Sequence, residues 1–199
     1  LLKTLAKNHP AIAVNLHERD LAGLVADLKR GVTEIALTYD MYQDSAIVFE
    51  KLFEVCPHVI LAPNDPLAEQ ETVSLKQLVG RQMVLLDLPM SPQYSEFEHL
   101  FAMYGLTPNI RHRLKNFELV RSMVGAGLGY YSFGRLPILT ERTYDGSILV
   151  RRPIEEDVPK SKLCLAYVNH TVPMQVVEVF ADACQKAFHT KHGRLVSCE

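Results

Sequence analysis

The sequence predicts an α/β fold in which strands and helices alternate along nearly the whole chain. Short apolar runs recur, some alternating with polar residues and some continuous, and between them apolar residues repeat at helical spacing. Glycine and proline punctuate the boundaries between these segments. The composition, 48% hydrophobic and 22% charged over 199 residues, is that of a globular chain forming one compact unit or two small lobes.

The first part of the chain predicts two helices and two strands. Pro10 ends the first helix, because proline disfavours helical geometry in the residue before it. Asp20 can cap the second helix, and Gly31 stands where a left-handed stop is needed. A strand, a helix and a strand in this order predict a parallel pair with a crossover helix. The predicted elements are a helix over residues 1–8, a strand over 12–17, a helix over 21–28 and a strand over 34–39.

The rest of the chain continues the alternation. Ser91 followed by proline predicts a helix start, and Asn116 can cap the next helix. The continuous apolar run at residues 83–86 predicts a strand buried on both faces. The predicted elements are strand 53–62, helix 74–78, strand 83–86, a helix from Ser91 to Tyr104, an exposed strand around Arg111, a helix from Asn116 to Val124, strands 130–133 and 163–167, and a last helix over 176–188.

Charge and cysteine content narrow the function classes. The net charge of −2 argues against nucleic-acid binding by these residues alone, because phosphate binding needs a concentrated basic face. No apolar run approaches the roughly twenty residues that a membrane span needs. The four cysteines form no CxxC pair, which favours reduced thiols and a cytoplasmic location. We predict no membrane contact and no cofactor.

Two patterns point to other chemistry. Four residues near the end of the chain are of the types that bind zinc: Cys184, His189, His192 and Cys198. Their spacing, C-x4-H-x2-H-x5-C, is not a familiar zinc pattern, and the alternative is a frayed helix end. Cys56-Pro57-His58 suggests a thiol protease, but neighbours on a strand with proline between them do not form a nucleophile and base pair. We predict buried strand residues there and no metal.

The glycine-rich segment around Gly127 follows a helix, whereas a dinucleotide-binding loop follows a strand and opens a helix. Paired carboxylates and an HExxH motif are absent from the sequence. A small basic cluster around Arg111 and Arg113 could meet an anionic ligand or DNA, with a solvated rim as the alternative. The sequence therefore predicts no enzyme activity.

Several motifs in order resemble the effector-binding domain of LysR-type transcription regulators. Glu34 stands where that family usually has aspartate, and the strand and loop with which the family's domain opens would lie before Leu1, outside this sequence. The motifs that carry the resemblance are His9-Pro10, Leu21 to Leu28, Gly31 with Glu34-Ile35-Ala36-Leu37, Asn64-Asp65-Pro66-Leu67-Ala68, Val73-Ser74-Leu75-Lys76-Gln77-Leu78, and Met123-Val124-Gly125-Ala126-Gly127-Leu128-Gly129.

The resemblance implies two Rossmann-like lobes joined by two crossing strands, a type 2 periplasmic-binding-protein-like fold. Lobe I would comprise residues 1–62 plus 165–199, without its first strand, and lobe II residues 63–164. It implies a ligand-sensing domain that binds a small polar metabolite between the lobes. The domain would pair side by side, as a homodimer or tetramer, and reach DNA only through an N-terminal helix-turn-helix domain. The alternative is a periplasmic solute-binding protein of a transport system.

The candidate effector-binding residues lie where strands end and helices begin in that fold. At such positions unpaired backbone N–H groups favour anions. The alternatives are a plain helix cap for the residues at helix starts, core packing for the tyrosines and a solvated charge for the arginine. The candidates are Ser91, Gln93, Tyr94, Asn116, Phe117, Tyr39, Tyr131 and Arg19.

Overall fold

The computed structural model divides the chain into two compact units. Unit 1 comprises residues 1–55 and 161–199, and unit 2 comprises residues 56–160. The structure describes residues 1–40, 44–87, 96–133, 141–169 and 174–189. The sequence prediction set the boundaries at 62/63 and 164/165; here the whole of the strand His58–Leu61 belongs to unit 2, because both of its sheet neighbours do.

Unit 1 is a three-stranded antiparallel sheet with the last strand of the chain in its centre, in the order β1-β8-β2. Tyr39 in β1 lies opposite Leu163 in β8, and Ile47 in β2 lies opposite Val168. Its elements are α1 (Leu2–Asn8), α2 (Leu21–Lys29), β1 (Ala36–Tyr39), β2 (Ile47–Val55), β8 (Ser161–Val168) and α6 (Met174–His189).

The central strand of unit 1 is apolar on both faces because a helix covers each of them. Leu165 and Tyr167 pack with Val177, Ala181 and Cys184 of α6, whose spacing of four and three places them on one helical face. The neighbouring Ala166 points to the other face and packs with Val25 and Leu28 of α2. This alternation is the period of two that a strand imposes. The continuous apolar run of β8 therefore follows from its central position.

Unit 2 contains a three-stranded antiparallel sheet in the order β6-β3-β7 and a parallel pair, β4 with β5. A parallel bridge between Met83 and Tyr130 joins the start of β6 to β4. Its elements are β3 (His58–Leu61), a 3₁₀ helix (Pro66–Glu69), α3 (Leu75–Leu78), β4 (Gln82–Leu86), α4 (Glu96–Met103), β5 (Asn109–Leu114), α5 (Phe117–Gly125), β6 (Tyr131–Phe133) and β7 (Val150–Pro153).

One hydrophobic core holds unit 2 together. Met83, Val84 and Leu85 of β4 are fully buried, as predicted for a strand covered on both faces. Phe101 of α4 and Val120 of α5 belong to the same core. The β4–α4–β5 unit has the predicted order of strand, crossover helix and parallel strand. Consequently α4 and α5 both begin beyond the carboxyl edge of the β4–β5 pair.

Three predictions about strands were wrong. Residues 12–17 form no strand, and Leu16 is 79% exposed, since no described strand offers this segment hydrogen-bonding partners. The predicted strand 53–62 is two strands, β2 and β3, separated at Cys56-Pro57, and β2 begins earlier, at Ile47. Strand β7 was not predicted. The strands of unit 1 also form an antiparallel sheet and not the expected parallel pair.

The prediction of four reduced thiols needs a correction. Cys164 and Cys184 are free and buried. Cys56, however, is disulfide-bonded. Within the ranges that the structure describes, no helix combines the length and the apolar character needed to cross a membrane.

Candidate functional site

The carboxyl edge of the parallel β4–β5 pair is where the fold concentrates polar groups next to helix starts. Leu86 lies opposite Leu114 at the last register position of the two strands. The pairing continues one step further, because the backbone N–H of Asp87 donates to the carbonyl of Leu114 over 2.7 Å. In open α/β sheets such an edge is the usual place for a ligand, because loops and helix N-termini converge there.

Asn116 begins α5 just beyond this edge. Its side-chain oxygen accepts a hydrogen bond from the backbone N–H of Leu119 at 3.0 Å. This bond satisfies one of the N–H groups that the first turn of a helix leaves unpaired, and a cap of this kind stabilises a helix by about 1 kcal/mol. The cap interpretation of Asn116 is therefore correct. The amide nitrogen of the same side chain is a donor that the cap does not use.

Phe117 and Tyr131 form an aromatic pair next to this helix start. Their ring centroids are 5.9 Å apart with an interplanar angle of 61°, the edge-to-face arrangement that aromatic rings favour. Tyr131 is only 2% exposed, and burial raises the pKa of its hydroxyl, which therefore stays protonated. The structure thus brings together three of the predicted residues, one from the cap, one from α5 and one from β6.

A buried ion pair stabilises the same end of α5, and the sequence analysis missed it. Arg121 is 6% exposed, and its guanidinium lies 2.6 Å from the carboxylate of Glu118 and donates to the carbonyl of Arg142 at 2.7 Å. The other oxygen of Glu118 accepts from the backbone N–H of Tyr144 at 2.8 Å. The spacing of three residues between Glu118 and Arg121 was the available signal.

Arg121 also lies 5.9 Å from the centroid of the Phe117 ring. A guanidinium at this distance attracts the face of an aromatic ring. Glu118 pairs with the charge of Arg121, and the guanidinium so held lies next to the Phe117 ring. The arrangement can offer hydrogen bonds, an aromatic surface and a helix N-terminus to a ligand, and these are recognition groups.

Two of the predicted site residues, Tyr39 and Arg19, belong to unit 1. Tyr39 is half-buried at the end of β1. Arg19 is engaged in structure: its Nε lies 2.8 Å from the carboxylate of Asp27, and its Nη1 donates to the carbonyl of Glu18 at 3.0 Å. Asp27 is 4% exposed and also binds Arg30 at 2.6 Å. Arg19 therefore helps to neutralise a buried carboxylate.

Three further candidates, Ser91, Gln93 and Tyr94, lie outside the described residues. The alternative zinc set is described only in part: Cys184 is fully buried in α6, and burial raises the pKa of its thiol to about 11. Within the described ranges, no group of three or more potential metal ligands comes together.

The thiol-protease alternative does not fit the structure. His58 is 1% exposed in β3, and its Nδ1 lies 3.2 Å from the carbonyl of Cys56. Burial lowers the pKa of His58 to about 4. Because Cys56 is disulfide-bonded, it offers no thiolate nucleophile.

Comparison with solved structures identifies the fold. A putative LysR family transcriptional regulator from Pseudomonas aeruginosa is 31% identical, with a TM-score of 0.83; the match covers 94% of this chain and 68% of that one. The C-terminal domain of a probable LysR family regulator from Rhodococcus sp. RHA1 is 28% identical, with a TM-score of 0.79, covering 92% of this chain and 88% of that one. The mixed α/β fold is thus that of LysR effector-binding domains, which is type 2 periplasmic-binding-protein-like.

Sequence comparison gives the same family. The hydrogen peroxide-inducible genes activator of Pectobacterium carotovorum subsp. carotovorum is 24% identical over 167 residues, which are 84% of this chain and 54% of that protein. The chain therefore spans about half the length of the curated relatives it matches. The LysR substrate binding domain family matches residues 1–189. This family consists of regulators and not of enzymes, and the chain belongs to it as an effector-binding domain.

Proposed function

We propose that this effector-binding domain senses a small polar metabolite with a carboxylate group, bound at the carboxyl edge of the β4–β5 pair. The observation that carries the proposal is the convergence of Asn116, Phe117 and Tyr131 at the start of α5. The unused amide donor of Asn116 and the N-terminus of α5 favour an anionic oxygen, and the Phe117 ring favours an apolar body.

Domains of the same fold support this ligand class. The effector-binding domain of QuiR, 18% identical with a TM-score of 0.72, was solved in complex with shikimate. The regulatory domain of CcmR from Synechocystis PCC6803, 15% identical with a TM-score of 0.76, was solved in complex with 2-PG. At these identities the likeness concerns the fold alone, so neither compound is assigned to this chain. A small carboxylate panel that includes shikimate is the rational starting set.

Peroxide sensing by a cysteine is the competing idea, because several relatives are hydrogen peroxide-inducible activators. A peroxide-reactive cysteine needs an accessible thiolate with a low pKa. The free thiols that the structure describes have the opposite properties: Cys164 and Cys184 are buried, and burial raises the pKa of each to about 11. Neither Cys164 nor Cys184 therefore supplies a peroxide-reactive thiolate.

The regulatory step follows from the family membership. A bound effector acts by its different affinity for two arrangements of the protein. We propose that, in a protein of the length of these relatives, an N-terminal helix-turn-helix domain contacts DNA and that the domains assemble as a homodimer or tetramer. Tyr39 and the segment of Ser91, Gln93 and Tyr94 are further effector contacts in this proposal, and they remain predictions.

The test begins with the 199-residue chain and a panel of small carboxylates, ranked by the rise in unfolding temperature that each ligand produces. The best ligand is then titrated by calorimetry into the wild type and into Asn116→Ser. Serine keeps an oxygen for the helix cap but lacks the amide donor, so we expect about tenfold weaker binding with one hydrogen bond lost.

Asn8→Ser is the matched control, because it makes the same chemical change at an exposed side chain of unit 1, at the end of α1. Its affinity should equal that of the wild type. If Asn116→Ser binds as tightly as the control, the assignment of the site to the start of α5 is wrong. If no member of the panel binds saturably, the proposed ligand class is wrong.

A further inference from the structure

A cavity of about 560 Å³ lies within unit 2, at the amino end of β4. It is built from three short segments: the turn after β3, the turn that enters β4 and the glycine-rich turn after α5. The proposed effector site lies at the other end of β4, and a strand of this length separates the two by about 13 Å. The lining residues are Ala62, Asn64, Asp65, Gly80, Arg81, Gln82, Gly127, Leu128, Gly129 and Tyr130.

Two hydrogen-bonding groups of this lining are buried without a partner. Tyr130 is 1% exposed, and its hydroxyl oxygen has no hydrogen-bond partner among the residues that the structure describes. The same holds for the Nε–H of Arg81. Burial raises the pKa of the Tyr130 hydroxyl, whereas the nearby charge of Arg81 lowers it; burial is the stronger effect, so the hydroxyl keeps its proton. Buried polar groups normally have a partner, because an unmade hydrogen bond costs about 1–3 kcal/mol.

Asp65, the acidic residue of the cavity, is not a hydrogen-bond partner for either of these two groups. One carboxylate oxygen of Asp65 accepts from the backbone N–H of Leu67 at 2.9 Å, and the other binds the Nη2 of Arg81. Asp65 thereby balances the charge of Arg81 while the Nε–H of Arg81 stays unused. Two hydrogen-bond donors of the cavity, the Arg81 Nε–H and the Tyr130 hydroxyl, therefore have no acceptor among the described residues. An oxygen atom of a ligand could accept from both.

The glycine-rich turn keeps the cavity open. Gly129 has a φ of +152°, and a Cβ there would stand 2.6 Å from the backbone oxygen of Gln82, so the turn packs directly against β4. Gly127 has a φ of +76°, and a Cβ there would meet nothing within 4 Å. The two residues form a wall without side chains. The volume beside Tyr130 and Arg81 is therefore available to a small molecule.

We propose that this cavity is a second binding site, specific for a small carboxylate whose oxygens accept hydrogen bonds from Arg81 and Tyr130. The site belongs to unit 2 alone and is distinct from the effector site at the start of α5. A ligand there would bridge the turns that hold the amino ends of β4 and β6 in place. It would stabilise unit 2 whether or not the effector site is occupied.

The probe is sodium malonate, titrated into the 15N-labelled chain with sodium chloride at matched ionic strength as the reference. We expect saturable shifts of the Arg81 Nε–H signal and of the amides from Gly127 to Tyr130, with the amides of Phe117 and Leu119 unmoved. Tyr130→Phe should weaken malonate binding about tenfold, which corresponds to one hydrogen bond. Arg81→Lys keeps the charge beside Asp65 but removes the Nε–H, and it should weaken malonate binding by a similar factor.

Tyr104→Phe is the matched control, because the Tyr104 hydroxyl is already paired with the carbonyl of Asp157 at 2.6 Å. It should leave malonate binding unchanged and lower the unfolding temperature slightly. Tyr130→Phe should leave the unfolding temperature of the ligand-free chain equal or raised, because it removes a group without a partner. Shifts that match the chloride reference, or malonate affinity that survives in both Tyr130→Phe and Arg81→Lys, would overturn the proposal. Shifts confined to Phe117 and Leu119 would overturn it while supporting the effector site.

Discussion

At the scale of single residues, buried ionisable groups decide how stability depends on pH. His58 is surrounded by the core of unit 2, with the charge of Arg151 nearby, and burial lowers its pKa from 6.5 to about 4. Between these values the unfolded chain binds a proton that the folded chain does not. Stability is therefore complete above pH 6.5 and falls as the pH drops toward 4.

The first prediction concerns the size of this loss. His58 should contribute about 3 kcal/mol to the fall in the free energy of unfolding between pH 6.5 and 4, from 1.36 kcal/mol for each unit of pKa difference. His58→Gln does not titrate in this range. Urea unfolding at several pH values should show a shallower dependence for the variant. Parallel pH curves for the variant and the wild type would show that His58 does not carry the effect.

The second prediction concerns Asp27, whose pKa is lowered by hydrogen bonds from Arg30 and Arg19. The pKa of Asp27 is lower in the folded chain than in the unfolded chain. Its carboxylate therefore stabilises the fold at pH values above the unfolded-state pKa, and this stabilisation is lost as the pH falls through the folded-state pKa. Asp27→Asn should lower the urea midpoint at pH 7, and the deficit should shrink in acid. Asp182→Asn, in an exposed pair with Lys186, should leave the midpoint unchanged. An equal deficit at all pH values would indicate a packing effect instead.

At the scale of elements, the sequence predicted best where local signals and burial agree. The capping residues Asp20 and Asn116 begin helices as expected, since each accepts a hydrogen bond from its own first turn. The segment 12–17 has the alternation of a strand but no pairing neighbour, and periodicity does not report on neighbours. The break at Cys56-Pro57 was missed because both flanking segments are apolar, while the chain passes there from one unit to the other.

The candidate site shows the same limit. Helix starts and strand ends are local features, so sequence position could point to Asn116, Phe117 and Tyr131, and the structure places these three close together. It did not find the network of Arg121, whose partner carbonyl at Arg142 lies 21 residues away. Likewise, Arg19 could be placed after a predicted strand, but its ion pair with Asp27 depends on how the chain turns into α2.

The third prediction tests the glycine-rich turn as an element. Gly129→Ala would place a Cβ 2.6 Å from the backbone oxygen of Gln82, which has no room to move without disturbing β4. Gly127→Ala creates no contact within 4 Å, so it should lower the free energy of unfolding only by the cost of a positive φ, about 1–2 kcal/mol. Thermal unfolding should show a clearly larger drop for Gly129→Ala than for Gly127→Ala. Equal drops would mean that the turn does not pack against β4 as tightly as the structure shows.

At the scale of the whole molecule, two units with separate cores share one chain, and the proposed function includes the assembly of several such chains. A regulator that reads DNA symmetrically needs at least a pair of domains. The fourth prediction is that the 22.5 kDa chain self-associates. Sedimentation equilibrium should give a mass that rises with concentration toward twice the monomer value. A mass that stays at the monomer value over the whole concentration range would contradict a dimer of this domain.

An NMR map of the binding site for the best ligand of the carboxylate panel would decide whether the start of α5 holds the effector. We expect saturable shifts centred on the amides of Asn116 to Leu119 and on Tyr131, with a matching loss of affinity in Asn116→Ser and none in Asn8→Ser. Saturable binding that leaves the start of α5 unperturbed would contradict the proposed site. A panel without any saturable ligand would contradict the claim that this domain senses a small carboxylate.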